Sequence, residues 1–138
     1  MLLYEVNIRT LAEISADYER WLDSHISAIL EIDGFESAEW FTVEEDAQAD
    51  RIEEGLRRSM RLDESIPLDI REAAGRPVTT RHYCVQYRLR DRAAFDDYIA
   101  KEAPRYRREG IEKFGSKFAA SRRVMDLRRA YASDIGHH

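Results

Sequence analysis

The chain has 138 residues, a length that fits one domain, with 43% hydrophobic and 36% charged residues and a formal net charge of −5. Such a composition can build a core and is not that of a disordered segment. The acidic balance argues against a dedicated nucleic-acid binder, and no apolar run approaches the roughly 20 residues of a membrane span.

The first residues, Met1-Leu2-Leu3-Tyr4-Glu5, lack the basic start of a signal peptide. One cysteine, Cys84, leaves no internal disulfide and fits a reducing compartment, so a cytoplasmic location is expected. Charge is unevenly placed: residues 1–43 carry net −7, residues 44–77 net −4 and residues 78–138 net +6. Two acidic and basic surfaces can face each other within one fold or across a dimer. The plainer reading is that such charges are solvated.

Leu2 to Arg9 alternates, with Leu2, Tyr4, Val6 and Ile8 on one face, and predicts a strand with one apolar side. Thr10-Leu11-Ala12-Glu13 reads as a capping box, a hydroxyl followed three residues later by a carboxylate. Leu11, Ile14, Tyr18, Trp21, Leu22 and Ile29 then recur at three- and four-residue steps, which predicts an amphipathic helix. Asp33-Gly34 stops it, glycine being free to take a left-handed conformation. Phe35–Val43 reads as a second strand. Val78–Leu89 reads as a third, with Tyr83, Val85, Tyr87 and Leu89 on one face and His82, Cys84, Gln86 and Arg88 on the other. Asp91 caps a second helix, in which Pro104 predicts a kink or restart. Gly115 closes it, Phe118–Leu127 is a fourth strand, and residues 129–138 form a tail. His137 and His138 resemble the start of a purification tag and take no part in any metal argument.

Strand, helix, strand, strand, helix, strand is the ferredoxin-like α+β plan: an antiparallel sheet with both helices on one face, here a single domain with core 1–43 and 78–128. Residues 44–77 are an insertion, too long for a hairpin turn. The pairs Glu53–Arg57 and Glu54–Arg58 and the line Ile52, Leu56, Met60 predict a helix over 47–62. Gly55 weakens that helix, and Leu62, Ile66, Leu68 and Ile70 suit a dimer contact.

Several stretches together resemble a known family. They are Tyr4-Glu5-Val6-Asn7, Gly34-Phe35-Glu36-Ser37-Ala38, Cys84-Val85-Gln86-Tyr87-Arg88-Leu89, and Arg107-Arg108-Glu109-Gly110 followed by Phe114 to Arg123. The chain is similar to a short bacterial family that carries only a domain-of-unknown-function label, apart from its longer 44–77 connection. That family is distantly similar to antibiotic-biosynthesis-monooxygenase-like proteins with the dimeric α/β-barrel fold. The resemblance implies two ferredoxin-like sheets packed face to face in a homodimer. It implies no particular chemistry. The residue pattern agrees, since two helices cover only one face of a four-stranded sheet.

The uncovered face is the first candidate site. Glu5, Asn7, Gln86 and Arg88 fall near one another if strands one and three pair, and His82 and Trp40 join them as candidate ligand-binding residues. A carboxylate, two amides and a guanidinium in a semi-enclosed cavity could orient a small polar or aromatic ligand. Equally, they could satisfy one another across an interface. His25 lies inside the apolar stripe of the first helix, as a general base or a core histidine. His82 and Cys84 offer only two metal ligands where zinc needs four, so no metal is expected. As a nucleophilic pair they point in parallel. No cofactor fingerprint is present. RNA binding is disfavoured because Tyr4 shares its face with Val6 and Ile8. The expected function is small-ligand binding in a homodimer. The alternatives are a cofactor-independent, monooxygenase-like enzyme and a protein-interaction or regulatory module acting through the insertion.

Overall fold

A computed structural model describes residues 1–44, 65 and 79–134. Strands β1 (Leu2–Leu11), β2 (Phe35–Thr42), β3 (Thr80–Leu89) and β4 (Phe118–Asp126) alternate with helices α1 (Ser15–Ile29), α2 (Arg92–Lys101) and α3 (Ala103–Phe114). The sheet order is β2-β3-β1-β4, and the three pairings are antiparallel. This is the ferredoxin-like α+β arrangement. The expected helix over 47–62 and its ion pairs lie outside the described residues.

One parity of β1 and of β3 makes the centre of the core. Tyr4 and Ile8 of β1, and Tyr83, Val85 and Tyr87 of β3, are buried, Val85 to 0% exposure. The helices cover them. The Tyr18 ring of α1 stacks on Tyr83 at 6.4 Å, and Tyr4 meets Phe95 and Tyr98 of α2 at 5.2 and 6.0 Å. Such aromatic pairs add to the burial of their apolar area.

Local signals explain most boundaries. The Asp91 side chain accepts a hydrogen bond from Ala94 N at 2.9 Å, capping α2. Pro104 lies in the first turn of α3, where its missing N–H costs nothing, so the expected break falls at Glu102. Gly34 has φ 96°, and a Cβ there would stand 2.3 Å from Ala94 Cβ.

One boundary differs from expectation. Thr10 is not a helix cap: it is a buried strand residue, paired with Arg81 on one side and Phe118 on the other. Ala12 N donates to Thr79 O at 2.9 Å, which holds the chain on the sheet past the hydroxyl. A 3-10 turn over Ala12–Ile14 then leads into α1, and Ser15 Oγ donates to Ala12 O at 2.8 Å. Ladder hydrogen bonds on both sides of β1 outweigh a capping bond.

Candidate functional site

The two faces of the sheet offer two different environments. On the uncovered face Glu5 stands opposite Gln86 of β3 and Arg123 of β4. Its carboxylate accepts from Asn7 Nδ2 at 3.0 Å, Gln86 Nε2 at 2.9 Å and Arg123 Nε at 2.5 Å. These donors leave Glu5 only 4% exposed. The Arg123 hydrogen bond, helped by Gln86 and Asn7 and opposed by burial, brings its pKa down to about 2. The expected proximity of Glu5, Asn7 and Gln86 is therefore present, with Arg123 as the partner that sequence reasoning did not single out.

The other sequence candidates scatter. Arg88 pairs with Glu39 of β2 at 3.3 Å instead of reaching Glu5. His82 is half-buried opposite Arg9, on the uncovered face. Trp40 does not join this group. A register shift between Phe35 and Ser37 puts one extra residue into β2, and a bulge of this kind brings Phe35 onto the same face as Ala38 and Trp40. Trp40 stands beside Val85, on the helix side, with its ring 6.1 Å from that of Tyr83. The aromatic on the uncovered face is Phe41, opposite Cys84 and 42% exposed. Burial pushes the Cys84 thiol up to about 11, the reverse of what a thiolate nucleophile needs. Among the described residues, no group of three or more His, Cys, Asp or Glu is placed to hold a metal ion.

The helix side holds a cavity of about 50 Å³. Its floor is Tyr4, Val6 and Ile8 of β1. Tyr18, Trp21 and His25 of α1 form one wall, and Tyr106, Arg107 and Gly110 of α3 another. Phe118, Ala120 and Arg122 of β4 lie along the edge of the sheet. Gly110 makes room for the indole: a Cβ there would sit 3.4 Å from Trp21 Cη2 and 3.3 Å from Phe118 Cζ. His25 stacks on Trp21 at 4.5 Å between ring centroids and meets the Tyr106 edge at 5.2 Å. Its Nδ1 is buried without a hydrogen-bond partner among the described residues. Burial, with a smaller contribution from Arg122, lowers its pKa to about 4, so the ring is neutral at physiological pH. The helical spacing of His25 with Trp21 and Tyr18 was visible in the sequence. The cavity was not, because it depends on a glycine on α3, far along the chain.

A family model described as Domain of unknown function (DUF4286) matches residues 1–128. No curated protein matches the chain. Among solved structures it is similar to SnoaB, a cofactor-independent oxygenase from Streptomyces nogalater, in a variant form, at 11% identity and TM-score 0.56, covering 96% of this chain and 98% of that one. A putative antibiotic biosynthesis monooxygenase from Deinococcus radiodurans is similar at 12% identity and TM-score 0.56, with the same coverages of 96% and 98%. A further antibiotic biosynthesis monooxygenase gives 12% identity and TM-score 0.53, covering 94% of this chain and 100% of that one. At such identities the likeness is one of fold.

Proposed function

The chain belongs to the family described as Domain of unknown function (DUF4286), and from that premise we propose that it binds a small organic ligand between its helices and its sheet, as a homodimer joined through the opposite sheet face. The observation that carries the ligand reading is the His25 Nδ1, left without a partner in the wall of a cavity. Buried polar atoms are nearly always satisfied, so an orphan beside an opening invites a ligand or a water. The Glu5 cluster has the opposite character. The Glu5 carboxylate already has three donors, which suits an interface better than a reading head.

The pattern and area of the uncovered face support the dimer. Four strands of eight to ten residues span roughly 15 by 30 Å from strand spacing and rise. That is a flat area of about 450 Å², a little over half of the ~800 Å² per partner of an ordinary stable interface, before the relief of the side chains is added. Exposed Phe41 and buried Cys84 and Glu5 stand on this face, and no helix among the described residues lies over them.

A catalytic reading rests on His25 alone: a neutral imidazole beside a ligand can accept a proton from it. The experiment for binding is a fragment screen read by Trp21 fluorescence in a Trp40→Phe background, repeated with Ala120→Val, which fills the cavity with a residue that suits a strand. Hits that survive the filling would contradict the proposed place of binding. Turnover of any hit, lost in His25→Gln without loss of folding, would move the reading from binder to enzyme.

A further inference from the structure

The charges around the cavity are all of one sign. Two guanidinium residues, Arg107 and Arg122, line it, and no carboxylate residue does. Arg107 Nη2 is 3.5 Å from the hydroxyl of Tyr4, a ring in the cavity floor. Arg122 lies opposite Val6 of the cavity floor, on the helix side of β4, and lines the same cavity. Both arginines are exposed residues, which sets their heads at the mouth between α3 and β4, while the rest of the lining is mostly aromatic and aliphatic. Neither has an ion-pair partner among the described residues. Three cations nearby are paired instead: Arg123 with Glu5, Arg105 with Glu102 and Lys117 with Glu13.

Size narrows the ligand further. A volume of about 50 Å³ is well short of the ~150 Å³ cavity that takes a benzene ring. It holds a few carbon atoms.

We propose that the ligand is a small monocarboxylic acid, its apolar tail inserted over Val6 and its carboxylate held at the mouth by Arg107 and Arg122. This rests on the ligand site being the helix-side cavity. Guanidinium groups bind carboxylates through paired, charge-assisted hydrogen bonds, and in a partly desolvated mouth such bonds gain over their strength in water. His25, neutral and short of a partner, adds no charge of its own to the apolar interior.

The test compares butyrate with 1-butanol, two probes with the same tail and different heads, in the whole protein at matched sodium chloride. Binding is followed by the NMR shifts of the Trp21 indole and the Gly110 amide. Butyrate should bind at least about tenfold tighter than the alcohol, and raising the salt should weaken it. Arg122→Gln, on an exposed strand position that leaves the core intact, should remove most of that advantage, and Arg107→Gln part of it. The alcohol should be indifferent to both. Equal binding of the two probes in the cavity, or butyrate binding unaffected by both substitutions, would overturn the carboxylate inference and leave the cavity reading standing. If neither probe moves Trp21 or Gly110, the cavity reading fails and the inference falls with it.

Discussion

Arg123 Nε lies 2.5 Å from Glu5 Oε2, directly across the pairing of β1 with the edge strand β4. Glu5 is buried and Arg123 is largely exposed, so one solvated cation serves a carboxylate removed from water. An amide in place of the carboxylate leaves Arg123 hydrated but turns one of the two acceptor oxygens into a donor facing the amide donors of Asn7 and Gln86. Glu5→Gln should therefore cost roughly 1–3 kcal/mol. The folded pKa of about 2 lies below the ordinary 4.5. The contribution of Glu5 is then fully present above about pH 4.5 and is lost as pH falls through about 2. Urea unfolding should show the variant weakest relative to the parent at neutral pH, with the gap closing towards pH 2. A gap that stays constant with pH would exclude this role.

His25 runs the same way for a different reason. Its folded pKa of about 4 is below the ordinary 6.5 because burial disfavours the imidazolium. The unfolded chain takes up the proton first, so stability is full above about pH 6.5 and declines as pH falls through about 4. The imidazole carbon-bound protons should show no titration between pH 8 and about 5. Titration near 6.5 would mean that the ring is not held against Trp21 as described.

Two glycines separate backbone need from space need. Gly34→Ala meets both a left-handed φ and a Cβ contact of 2.3 Å with Ala94, and should cost roughly 3 kcal/mol from strain and overpacking together. Gly110→Ala gains up to ~1 kcal/mol of helix propensity but presses a methyl onto Trp21 and Phe118 at 3.4 and 3.3 Å. Its stability should stay within about 1 kcal/mol of the parent, while the Trp21 emission shifts and cavity ligands weaken. Thermal melts and fluorescence read the two effects apart.

The order of elements, the core parity of β1 and β3, the Asp91 cap and the break at Pro104 could all be read from residue types, because each depends on neighbours within a few positions. What escaped depends on partners far away in sequence. Thr10 carries a cap signature that ladder pairing on both sides overrides. Trp40 stands on the helix side, in a strand whose register shifts between Phe35 and Ser37, and no glycine or proline in that stretch announces the shift. Glu5 was recognised as part of a polar face, but Arg123 was not, since alternation in Phe118–Asp126 is too polar on both sides to say which residues meet β1. The cavity escaped for the same reason: it exists where Gly110, Trp21 and Ala120 converge.

The proposed dimer is testable at the uncovered face. Phe41→Arg places a charge where a partner sheet would pack, at a position exposed in the single chain. Sedimentation at micromolar concentration should give a dimer for the parent and a folded monomer for the variant. A parent that sediments as a monomer would remove the interface role from the Glu5 face.

The measurement that bears most directly on the account is NMR shift mapping of ligand binding across both faces of the sheet. A small ligand should move the Trp21 indole, the His25 ring and the Gly110 and Ala120 amides, and leave the side-chain amides of Asn7 and Gln86 where they are. Shifts centred on Asn7 and Gln86, with Trp21 and His25 unmoved, would place the ligand on the Glu5 face and contradict it.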